Sequence, residues 1–157
     1  MRAVEIEKIA NKINLLWGGC VAFMAAIFGE YWFLFAAFLV FNTVDYITGI
    51  IKAKIAKTEN SNKGRMGIIK KTGYWIVIGI AFFIGFAFGE MGEKIGVDLS
   101  FTTMFGWLTL ATFLINEIRS ILENLVIIGV KVPGWLIKGL EVAAKTVESK
   151  GEQDVGN

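Results

Sequence analysis

Asp45 is the residue whose placement most constrains what this chain can do. It sits in an otherwise apolar run from Tyr31 to Ile51, with Thr48 three residues on and Lys52 seven residues on along nearly the same helical face. A lone carboxylate at the centre of an apolar layer costs on the order of 3 kcal/mol, less near a helix end, so it needs a counter-charge or water. Lys70, Lys71 and Arg119 are the candidate counter-charges. Two roles follow for Asp45: an ion pair at a helix end, or part of the lining of an aqueous passage. A second polar group, Asn116, Glu117, Ser120, Glu123 and Asn124, closes the last long apolar stretch. Glu117 and Ser120 share a face with Asn124, where they either bond between helices or meet water.

These residues do not make a catalytic set. The chain has no His and one Cys, and no carboxylates cluster along it. A metal site, a nucleophile with its base and a glycosidase pair are therefore all unsupported. Lys71-Thr72-Gly73 matches one motif of penicillin-binding enzymes, but its Ser-x-x-Lys and Ser-Asp-Asn companions are missing. No Walker loop is present. The expectation is a protein that is not an enzyme and uses no metal or cofactor.

The elements that carry these residues are set by charge. Four stretches, Ile13–Gly29, Tyr31–Val44, Thr72–Gly89 and Leu99–Asn116, contain no charged residue. A hydrocarbon core of about 30 Å needs about 20 helical residues, so each stretch is close to a span once its flanks are added. The second stretch reaches that length only by running on through Asp45 to Ile51. Lys and Arg number three before the first stretch, none in the Gly29/Glu30 turn, seven from Lys52 to Lys71, one from Glu90 to Asp98 and five after Asn116. Basic residues stay on the cytoplasmic side, so both termini and the central loop are expected inside and two short turns outside. The asymmetry points to anionic lipid and not to nucleic acid.

The expected architecture is an all-α membrane protein with four transmembrane helices arranged as two hairpins. Residues 1–12 form a cytoplasmic N-terminal segment, either a short amphipathic helix or a frayed end. Residues 13–116 form the bundle, with residues 52–71 as its cytoplasmic loop. Residues 117–150 form a cytoplasmic helical extension that breaks near Gly129 and restarts at Pro133, and residues 151–157 form a disordered polar tail. Leu136, Leu140, Ala143 and Val147 line one face of an amphipathic C-terminal helix, expected on the membrane or beneath the bundle. Cys20 follows Gly18 and Gly19, but Trp17 and the position of the apolar run argue against a lipid-attachment site. No cleavable leader is expected either.

Helices in lipid associate through close backbone approach, because apolar burial gives no drive there. Gly18, Ala22 and Ala26 recur every four residues, and Gly85 with Gly89 forms a second such pair. These small residues pack the helices of one subunit or join subunits to one another.

Val44-Asp45-Tyr46-Ile47-Thr48-Gly49, then Gly67-Ile68-Ile69-Lys70-Lys71, then Asn116-Glu117, Ser120-Ile121-Leu122-Glu123-Asn124, Gly129 and Val132-Pro133 together resemble the phage lysis and toxin-secretion holin family. The likeness runs from about Phe35 to Leu140. It implies a protein of the bacterial cytoplasmic membrane that oligomerises and permeabilises that membrane to let out an endolysin, or a toxin, with which it is coupled in function and not by direct contact. Asp45, Tyr46, Thr48 and Gly49 carry the first family motif and Asn116, Glu117, Ser120, Glu123 and Asn124 the last. Such proteins are often drawn with three spans, whereas the charge distribution here favours four. A small ion channel or transporter subunit, and a membrane anchor for a cytoplasmic partner, are the competing expectations.

Overall fold

A computed structural model describes the backbone of residues 2–155, and the elements among those residues are all helices, joined by short connections, without a strand. Helix α1 covers Arg2–Phe28 and leads through a 3-10 turn at Gly29–Tyr31 into α2, Trp32–Ile55. Helix α3 covers Ser61–Ile95, and a second 3-10 turn at Ser100–Thr103 leads into α4, Met104–Ile128. Helix α5 covers Gly134–Val155. The chain divides into two compact units, residues 1–37 and 38–157.

The first unit holds α1, the 3-10 turn and the start of α2. Gly29 turns the chain with φ of +69°, a conformation that favours glycine, and ends α1 at the break marked by the Gly29/Glu30 pair. Along α1, residues 5–23 are exposed, including Leu15, Leu16, Trp17 and Cys20.

In the second unit α3 and α4 form an antiparallel hairpin. Tyr74 stacks on Phe113 with ring centres 4.5 Å apart, and Phe82 meets Trp107 edge-on at 5.1 Å. Small residues allow the approach. A Cβ on Gly106 would lie 2.5 Å from the Phe82 ring, and one on Gly85 would lie 2.9 Å from the Thr102 carbonyl oxygen. From α2, Phe38 is fully enclosed and lies 5.1 Å from the Trp75 ring of α3, near buried Ile78, Leu110 and Ile121 in the same core.

Local chemistry sets the helix ends. Asn60 is extended, and its side-chain oxygen accepts from the backbone N–H groups of Asn62 and Lys63, which starts α3. Gly96 and Gly129, both left-handed, close α3 and α4. The turn between α3 and α4 is pinned by Ser100, whose hydroxyl and backbone N–H bond the Asp98 carboxylate and hold it below the usual aspartate range.

Two segments, Gly29–Ile55 and Ser61–Ile95, are long and apolar enough to cross a membrane. The connection between them is shorter than the expected 52–71 loop. Lys52 and Lys54 remain helical in α2 and Ser61 already begins α3, because charged side chains do not stop a helix and Asn60 starts the next one early.

Helix α5 folds back along α4. A Cβ on Gly151 would lie 3.6 Å from Leu108, in the apolar first half of α4, and residues 136, 137, 140, 143, 144 and 147 of α5 are half-buried. The helix continues to Val155 through residues expected to form a disordered tail; of these Gly151 is half-buried, and Glu152 and Gln153 are exposed. Residues 156 and 157 lie outside the described set.

Candidate polar cluster between three helices

The second unit encloses one group of charged and amide side chains, drawn from α2, α3 and α4. Lys71 of α3 is its centre. Its ammonium lies 3.0 Å from Asp45 Oδ2 and donates to Glu117 Oε2. Asn124, one helical seam further along α4, donates through Nδ2 to Asp45 Oδ1 at 3.0 Å and to Thr48 Oγ1 at 3.2 Å. Thr48 in turn donates to the Asp45 carbonyl at 3.1 Å. Side-chain exposure is 16% for Lys71 and Asp45 and 5% for Glu117, so Glu117 is enclosed while Asp45 and Lys71 border a cleft of about 900 Å³ between α2 and α3.

Helical spacing explains how the sequence builds this. Glu117, Ile121 and Asn124 share the buried stripe of α4, and Asp45, Thr48 and Gly49 share the matching face of α2. Gly49 contributes by its smallness, because a Cβ there would already touch the Asn124 amide at 3.9 Å. One cation between two carboxylates leaves a formal charge of −1, and the Asn124 amide, bonded to Asp45 Oδ1, takes up part of the charge on Asp45. A buried ion pair of this kind holds helices in a fixed register more than it adds net stability.

The residues singled out from sequence do not all join it. Tyr46 is at the surface, 36% exposed, and Asn116 is exposed. Ser120 is half-buried. Glu123 is exposed and pairs with Arg119 at 2.8 Å, so Arg119 serves a surface pair and Lys71 serves Asp45. Asn42 was missed. It is buried one turn before Asp45, donates to the Phe38 carbonyl at 2.8 Å, and leaves its Oδ1 without a partner. A polar residue three positions from Asp45 in an apolar run was the signal that could have found it.

The small residues also divide. Gly85 is occupied inside the subunit against Thr102 and Thr103, whereas nothing lies within 4 Å of a Cβ on Gly89 or Gly18, and Ala22 is exposed. The side chain of Ala26 lies outside the described residues. Gly92 and Gly106, which sequence spacing did not mark, make the closest approaches, to Val97 and Phe82.

Two membrane-length helices in an all-helical chain, taken with the family match that follows, point to a membrane protein. Residues 22–145 match the bacteriophage holin family, and the chain belongs to that family. A probable holin of Bacillus phage phi105 is 31% identical over 130 residues, which cover 83% of this chain and 87% of that protein. An uncharacterised protein of Halalkalibacterium halodurans is 28% identical, covering 87% of this chain and 97% of the relative. An uncharacterised 14.9 kDa protein of Clostridium perfringens is 34% identical over 134 residues, covering 83% and 94%. No solved structure matches significantly.

Proposed function

We propose that this chain is a holin that gathers in the bacterial cytoplasmic membrane and opens lesions through which an endolysin, or a toxin, leaves the cell. The observation that carries the reading is the family match over 22–145, supported by two helical segments long and apolar enough to cross a membrane. In this reading α1 to α4 each cross the bilayer. The end of α2, the short connection and the start of α3, which together carry the seven cations from Lys52 to Lys71, then lie on the cytoplasmic side, and the turns at 29–31 and 96–103 face outward.

Subunits meet through the open Gly18/Ala22 ridge of α1, with Ala26 on the same repeat and Gly89 as a further point of close approach. The Lys71 cluster acts within each subunit, fixing α2, α3 and α4 as one body that can be packed at high density. Size-graded release from vesicles tests the function. Escape of both a small dye and a folded protein of endolysin size supports a holin. Passage of ions alone assigns a channel, and partner capture without leakage assigns an anchor.

A further inference from the structure

The charges of the polar cluster are taken up in pairing within the subunit, which leaves a lesion in need of a further water-facing surface. Helix α5 supplies one. Its exposed side carries Lys138, Glu141, Lys145, Glu148 and Glu152 at spacings of three and four residues, a charged stripe about 21 Å long. Its other side is the half-buried apolar seam against α4, and Gly151 brings its far end beside Leu108. That seam faces a matching one on α4, where Leu108, Ala111, Ile115, Ile118, Leu122 and Leu125 repeat at three and four and are half-buried.

Leu108 belongs to the charge-free stretch of α4. A helix of 22 residues is about 33 Å long, enough to cover a hydrocarbon core, and here it runs back along α4 from the five-residue connection at 129–133. The charged stripe is thereby carried to the depth of the apolar half of α4. Charged side chains at that depth are among the most expensive groups to present to lipid, and they are found facing water-filled cavities or one another.

We propose that the charged stripe of α5 lines the aqueous passage, one α5 from each copy, with α4 behind it as the wall. This rests on the holin reading and names the surface that performs it. Lys and Glu alternate along most of the stripe, so neighbouring copies set opposite charges side by side, and the passage discriminates little between cations and anions. The C-terminal helix is then a crossing element of the open state, not a cytoplasmic appendage.

The test uses the full chain with Cys20→Ser, reconstituted in phosphatidylglycerol vesicles loaded with calcein, and a cationic methanethiosulfonate reagent. Lys145→Cys and Glu148→Cys are expected to react while the vesicles leak, with release of a co-loaded folded protein of endolysin size slowed about three-fold or more as bulk is added to the lumen. Ile80→Cys, 54% exposed on α3 and facing lipid in this reading, is expected to stay unreacted. Complete reaction at 145 and 148 with release of the folded protein unchanged would overturn the proposal while leaving the holin reading intact. So would equal reactivity of Ile80→Cys. A parent chain that releases no calcein removes the holin reading itself and this inference with it.

Discussion

Replacing Lys71 by Met removes the cation from two carboxylates at once and keeps most of the side-chain volume. At 3.0 Å, a single Lys71–Asp45 contact is worth about 5 kcal/mol of direct attraction at an effective dielectric near 20, before desolvation is subtracted. Breaking a buried pair by deleting one partner costs about 3 to 5 kcal/mol net, because the surviving charge stays buried. The 16% exposure of Lys71 and Asp45 favours the lower end, about 3 kcal/mol, whereas the 5% exposure of Glu117 leaves that carboxylate without an easy route to water. Trp75, one turn beyond Lys71 and packed on Phe38, gives a fluorescence signal for unfolding by sodium dodecyl sulfate in mixed micelles. Lys71→Met is expected to unfold at clearly lower denaturant fraction. Adding Asp45→Asn and Glu117→Gln in the same chain, which makes the group neutral, is expected to recover at least half of the loss. A Lys71→Met chain within about 1 kcal/mol of the parent, or a triple variant as unstable as the single one, would refute the idea that an uncompensated buried charge is the penalty.

Gly106→Ala drives a methyl group into the Phe82 ring and Gly85→Ala drives one into the backbone of Thr102 and Thr103, so each is expected to cost about 1 to 3 kcal/mol in the same micelle titration. Gly18→Leu meets open space within its own chain, so it should leave that stability unchanged while delaying the onset of lysis in expressing cells. Asp98, depressed by its Ser100 bonds, is expected to titrate below ordinary aspartate in a carbon-detected NMR titration, and Ser100→Ala to move it back up. The sign follows: the turn is at full strength above the unfolded aspartate range and weakens only as pH falls through the lower folded value.

Helix breaks were the most legible part of the fold. Gly29 and Gly129 sit where φ is positive, and the run of Thr, Glu, Asn and Ser before Lys63 contains the Asn60 cap. The extent of the central connection was less legible, because Lys52, Lys54, Lys63 and Arg65 read as loop by charge but are good helix formers. Asp45 could be recognised as needing a partner, yet nothing local separates Lys70, Lys71 and Arg119. That choice depends on which face of α3 and α4 turns inward, and on the Arg119–Glu123 pair that occupies the third candidate. Gly106 was invisible for the same reason, since its role exists only opposite Phe82. The apolar face of α5 was legible from its spacing, but not the surface it would cover, because Leu108 lies 43 positions from Gly151 and no local signal joins them.

The 35 residues of α3 make a rod about 52 Å long, against a hydrocarbon thickness of about 30 Å. Only its middle, from Thr72 to Gly89, is free of charge. The excess projects as a basic arm ending at Ser61 and a shorter arm ending at Ile95, with no proline joint between them. If α3 crosses the bilayer as proposed, both arms reach beyond the hydrocarbon, and a tilt imposed on one is carried along a single continuous helix toward the other.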